Sequence, residues 1–127
     1  MAKIEQFEDI ESWKEARKLV NMIYEVSAKG IFANDFSLKD QIRRVSVSIM
    51  SNISEGFGRG TNREFVQFLV VARASAFEVQ SQLYVALDRK YIDSNKFEAI
   101  YNQATSVVSL IDGFIRYLRK PRVQEGT

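Results

Sequence analysis

Anion binding is the chemistry that the clustered cationic residues of this chain suit best. The turn Glu55-Gly-Phe-Gly-Arg-Gly60 carries Arg59 and is followed by Arg63, both beside the amino end of a helical pattern. Free backbone amides at such an end attract phosphate. The turn has no preceding strand pattern, no Lys-Ser/Thr pair and no G-x-G-x-x-G spacing, so a helix cap with a tight turn is its plain reading. Contact with a nucleic-acid phosphate is the functional one. A second group, Arg116, Arg119, Lys120 and Arg122, closes the last helical pattern without an intervening acid. Cations in a last helical turn complement its negative end, but four exceed that need. Repeated by symmetry in an oligomer, they would form a positive ring with affinity for phosphates. Lys39, Arg43, Arg44 and Arg73 extend the first group.

Little else in the chain suggests catalysis. Among 127 residues there is no histidine and no cysteine, which removes the commonest general base, thiolate metal sites and disulfides. A Ser-His-Asp triad and the Glu-x-x-His di-metal pattern of helical bundles are both unavailable. The expectation is therefore a non-enzyme with no metal and no cofactor. The opening MAKIEQFEDIESW is acidic, and no apolar run reaches the roughly 18 residues of a membrane span. A cytoplasmic protein with no membrane contact is expected. Net charge is only +2, so the distribution of charge matters more than its sum.

The elements that must position these residues are four amphipathic helices in one domain, 1–127, at about 9–28, 37–57, 61–90 and 93–120, with 121–127 a loose tail. In the first, Ile10, Trp13, Ala16, Val20 and Ile23 share a face, and Gly30 ends it. Phe32 and Phe36 in the following connection are expected to tuck under the bundle as a plug. Ser37 is expected to cap the second helix, with Asp40 favouring its positive end, and Leu38, Ile42, Val45, Ile49 and Ile53 form its stripe. Gly56 and Gly58 are expected to stop it, and Thr61 with Glu64 is a capping box for the third. The seam Phe65, Leu69, Ala72, Ala76, Val79, Leu83 and Ala86 alternates four- and three-residue steps, as bundle packing requires. Asp93 caps the fourth helix, which carries Phe97, Ile100, Ala104, Val107, Ile111, Phe114 and Leu118 until Pro121. Short connections favour an all-α, up-down-up-down antiparallel four-helix bundle.

Two faces exceed what such a core needs. Val66, Val70, Phe77 and Tyr84 make a second apolar line on the third helix, read either as a wide core or as an oligomer interface. On the second helix a polar line, Gln41, Arg44, Ser48, Asn52 and Glu55, runs beside the core stripe. Folding back at the glycine turn sets it near Ser75, Glu78 and Gln82, so an Arg44–Glu78 pair is expected, with a solvated charge face as the alternative.

The stretch QIRRVSVSIMSNISEGFGRGTNREFVQFL, followed by ASAFEVQSQL, resembles the four helix bundle protein family whose founding members are encoded in intervening sequences of bacterial 23S ribosomal RNA genes. Matching positions include Gln41, Arg43, Arg44, Ser48, Asn52, Glu55, Gly56, Gly58, Arg59, Glu64, Phe65, Ser75, Glu78 and Gln82. Met50 replaces the family's usual proline and Ala74 its usual glycine, which implies a straighter second helix and a slightly wider crossing. The resemblance implies a homo-oligomer, most often a five-membered ring, and a related branch is the accessory protein of diversity-generating retroelements. Two functions stay open. One is a ring binding RNA or DNA through Arg and Lys, and the other is a protein-interaction scaffold or accessory subunit, for example of a reverse transcriptase.

Overall fold

The computed structural model describes residues 3–121, so Arg122 and the rest of the expected tail lie outside the described residues. A 3₁₀ turn at Phe7–Asp9 leads into α1 (Glu11–Ser27), and α2 (Phe36–Gly58), α3 (Asn62–Asp88) and α4 (Ser94–Arg119) follow. Thr61 Oγ1 accepts from the Glu64 amide at 3.2 Å and Asp93 Oδ1 from the Lys96 amide at 2.8 Å, each satisfying an orphan donor of the first helical turn.

The cap of α2 is Asp35, not Ser37. Its Oδ1 accepts from the Leu38 amide at 3.1 Å, while Oδ2 accepts from the Tyr91 hydroxyl at 2.9 Å. A carboxylate meets the positive helix end better than a hydroxyl does, and starting the helix there leaves Ser37 inside the first turn. The Leu38 amide first, and then the Tyr91 hydroxyl, hold the Asp35 carboxyl below its ordinary range. The same bond to the Asp35 carboxylate pushes the Tyr91 phenol up.

Phe36 is thereby the first helical residue, two positions before the core residue Leu38 and roughly 200° around the helix from it. It is 71% exposed, with the Lys39 ammonium 5.1 Å from its ring, so only Phe32 acts as the expected plug. Phe32 is fully buried and stacks on Tyr91 at 5.2 Å between centroids.

Each helix packs on its neighbours in sequence and α1 closes against α4. Pairs across α2 and α3 run from Ser48–Ser75 to Gly56–Phe68, rising on one helix as they fall on the other. Pairs across α3 and α4 do the same, from Asn62–Leu118 through Arg73–Asp112 to Gln80–Thr105. The result is an antiparallel up-down-up-down four-helix bundle. One end holds the α1–α2 and α3–α4 connections, and the other holds the α2–α3 turn with the carboxyl end of α4.

All seven residues of the expected α3 seam are buried. On α1 the core residue is Leu19 and not Val20, and on α2 Ser46 is the fully buried residue while the expected Val45 packs against the core only partly buried. A serine is accepted at that core position because its hydroxyl turns back onto the Arg43 carbonyl at 2.9 Å. Gly56 does not stop α2. It lies inside the helix, where a Cβ would fall 2.7 Å from Phe68 Cβ and 2.9 Å from Phe65 Cδ1, so its bare backbone lets α3 approach. The residue that uses glycine's positive φ in the turn is Gly60, at +90°. Among the described residues no helix is long and apolar enough to cross a membrane.

Candidate nucleic-acid interface

The antiparallel order brings Arg59 and Arg63 to the same end of the bundle as Arg116, Arg119 and Lys120. Lys39, Arg43 and Arg44 lie instead in the first turns of α2, where Arg43 donates to Ser27 Oγ and the Tyr24 carbonyl, and Arg73 pairs with Asp112 in mid-helix. Asn62, the first residue of α3, donates from Nδ2 to the Leu118 carbonyl near the end of α4 at 3.5 Å. Leu118 and Asn62 then separate two adjoining cavities. One, about 440 Å³, is lined by Asn62, Arg63, Val66, Gln67, Leu118 and Arg119. The other, about 370 Å³, is lined by Phe57, Phe65, Phe114 and Tyr117 together with residues of the turn and of the amino-terminal segment.

The expected cationic residues are not equivalent. Arg63 and Arg119 share a cavity, Arg116 is exposed one turn earlier on α4, and Lys120 follows the last helical residue. Among the described residues no carboxylate lies within ion-pair distance of these four. Arg59 is committed elsewhere, since Nη2 is 3.0 Å from Glu55 Oε1 and the guanidinium lies 4.9 Å over the Phe68 ring. Arg122 lies outside the described residues.

An aromatic chain supports this end. Phe57 meets Phe65 at 6.2 Å, Phe65 meets Phe114 at 5.1 Å and Phe114 meets Tyr117 at 6.2 Å between centroids. Sequence reasoning assigned no site role to these aromatics or to Asn62. A signal was present, because Phe57 sits between two glycines of the turn and Tyr117 sits within Arg116-Tyr-Leu-Arg-Lys120, an aromatic interleaved with cations.

The polar residues of α2 and α3 only partly converge. Ser48 Oγ and Ser75 Oγ are 2.7 Å apart, and Asn52 Nδ2 donates to the Ser48 carbonyl at 2.7 Å. Ser48, not Arg44, is thus level with Ser75. Arg44 does not reach Glu78. It binds Asp40 at 2.6 Å on its own helix, one turn back, and both partners are exposed. Gln41 and Glu78 face solvent, and Glu55 holds Arg59. Gln82 Oε1 is buried and has no hydrogen-bond partner among the described residues. Among the described residues the cross-helix ion pair is Arg73–Asp112, with Nε 2.6 Å from Oδ1, linking α3 to α4. Both side chains keep partial solvent access, so screening limits what the pair contributes.

The second apolar line of α3 divides. Val66 is buried within the chain, whereas Val70, Phe77 and Tyr84 remain 47%, 46% and 49% exposed. Tyr84 leans on Phe97 and Tyr101 of α4, and the Arg73 guanidinium lies 5.0 Å from the Phe77 ring. Val108 and Ile115 of α4 are buried.

Residues 8–113 match the family model described as 23S rRNA-intervening sequence protein. A solved structure of similar fold is a protein of unknown function from the S23 ribosomal protein family of Bacteroides thetaiotaomicron. It is 23% identical, with a TM-score of 0.75, and the match covers 83% of this chain and 98% of that one. No curated protein matches.

Proposed function

The chain belongs to the 23S rRNA-intervening sequence protein family, and from that membership and the geometry of its cationic end we propose a non-enzymatic, cytoplasmic, self-assembling bundle that binds RNA or DNA phosphates. The observation that carries the reading is the meeting of Arg63, on α3, with Arg119 of α4 in one cavity that no carboxylate lines. Arg116 and Lys120 add charge on the same helix end. Guanidinium groups bind phosphate oxygens in pairs, and contacts of this kind position a nucleic acid without reading its sequence.

Self-assembly rests on Val70, Phe77 and Tyr84, an apolar line left half-exposed beside a complete core. A five-membered ring, the assembly implied by the family resemblance, would repeat the cationic end around one axis and multiply its field. The same line supports a second reading, in which the assembly docks another protein and the cations serve solubility.

The deciding experiment is binding of structured ribosomal RNA and of single-stranded DNA across a salt series. A variant with Arg63, Arg116, Arg119 and Lys120 replaced by glutamine is measured beside the wild type. Affinity should fall steeply with salt, and the variant's slope on single strands should be flatter by up to about 3 per bound protomer. Absence of binding at low salt would overturn the phosphate reading and favour the protein-docking one.

A further inference from the structure

We propose that the aromatic cavity beside Arg63 and Arg119 receives an unpaired nucleobase, so that the preferred ligand is single-stranded or locally unpaired nucleic acid; the inference rests on the phosphate-binding reading above. A surface that bound phosphate alone would need cations and backbone amides, but not a cavity of about 370 Å³ walled by Phe57, Phe65, Phe114 and Tyr117. That volume lies within the ordinary range of small-ligand sites. Tyr117 in particular is 50% exposed, so its ring is available to a ligand while its inner neighbour Phe114 is buried.

A nucleotide presents the two chemistries that these adjoining cavities offer. Its base has a flat π-face that stacks on aromatic side chains whatever its identity, and its phosphate seeks guanidinium groups. Asn62 stands between the two, lining both cavities and holding the Leu118 carbonyl through Nδ2 at a long 3.5 Å, which leaves Oδ1 for a base-edge donor. The charged residues lining the pair are Lys3, Arg63 and Arg119, all cationic.

Charge singles out this end from other cavities of the bundle. Glu25 and Asp93 line the one between α1 and the start of α4 beside Lys29 and Lys96, Asp9 and Glu11 line the one beyond Phe114, and Asp40 lines the one beside Tyr24 together with Arg43 and Arg44. Each of those places a carboxylate beside the ligand, whereas the two cavities at the cationic end have none in their linings. A base held in a duplex is paired and stacked on both faces, so it cannot enter the aromatic cavity without being extruded.

The test compares three probes of equal length on the full chain at low salt: single-stranded oligothymidine, the same backbone with its bases removed, and a duplex. Tyr117→Ala is measured beside the wild type, with Phe57→Leu as a second variant that keeps an apolar side chain at the end of α2. Oligothymidine should bind about tenfold or more tightly than the abasic strand, the scale of one base stacked on aromatic rings. Tyr117→Ala should reduce that ratio towards one without changing the salt slope, since no charge is removed. Equal binding of oligothymidine and abasic strand, with a steep salt slope, would overturn the base pocket and leave the phosphate reading standing. Failure of all three probes to bind would overturn both.

Discussion

Replacing Gly56 with alanine should destabilise this protein even though alanine is the better helix former. Gly56 lies inside α2, where exchanging glycine for alanine ordinarily gains about 1 kcal/mol. Against that, the new methyl would sit 2.7 Å from Phe68 Cβ, 2.9 Å from Phe65 Cδ1 and 3.3 Å from the Phe65 carbonyl oxygen. Carbon atoms pack at about 3.5–4.0 Å, so the closest of these contacts is about 1 Å too short. Phe65 could rotate its ring, but Phe68 Cβ is fixed to the backbone and moves only with α3. Overpacking of this kind costs about 1–3 kcal/mol, and the upper part of that range applies when a helix must retreat.

The net expectation is a loss of about 1–2 kcal/mol, or about 4–8 °C in Tm for a chain of this size. Urea unfolding followed by far-ultraviolet circular dichroism would read it, at one fixed protein concentration because self-association adds to apparent stability. Gly58→Ala is the internal control, since a Cβ there meets nothing within 4 Å. It should be neutral or stabilising by less than about 1 kcal/mol. If Gly56→Ala proves as stable as Gly58→Ala, the close approach of α2 and α3 at this point is not a determinant of the fold.

Three further outcomes follow from particular residues. Because the Asp35 carboxyl is held below its ordinary range, its contribution is fully present above the unfolded value of about 3.9 and is lost as pH falls through the folded one. Asp35→Ala should therefore be less stable than wild type at neutral pH, with a gap that narrows in acid; a gap independent of pH would refute the linkage. Phe77→Glu puts a charge in the middle of the exposed α3 line, and native mass spectrometry should show monomer with helicity retained, whereas an intact oligomer would remove this face as the interface. Lys90 closes α3 with a positive φ of 61°, in a loop where the Tyr91 amide returns to the Ala86 carbonyl at 2.8 Å. Lys90→Gly should relieve that strain and stabilise by about 1 kcal/mol, and a lower Tm would contradict it.

The long helices were legible in the sequence because periodicity is cumulative. Over the 27 residues of α3 a shift of one position would have brought a charged or polar side chain into the seam, so only one phase fits. The shorter α1 offers the adjacent pair Leu19 and Val20, and an apolar stripe alone does not say which of the two points inward. Gly56 was ambiguous for a different reason: ending a helix and admitting a neighbouring helix both exploit the missing Cβ, and only a partner's distance separates them.

Cross-helix register was the least legible quantity, and it decides which polar groups meet. Arg44 lies within reach of Asp40 on its own helix, so a local partner pre-empts any distant one. Arg73 instead interrupts the apolar line between Val70 and Phe77, while Asp112 interrupts the line between Val108 and Ile115. Two lone opposite charges inside facing apolar stripes predict each other, since each would otherwise sit unpaired against a low-dielectric surface. The same register carries Arg63 to Arg119 and Phe57 towards Tyr117, residues about sixty positions apart with no local pattern in common. The cationic end is a property of the antiparallel packing. A displacement of α4 by one turn, about 5.4 Å, would part the arginines while leaving every helix intact.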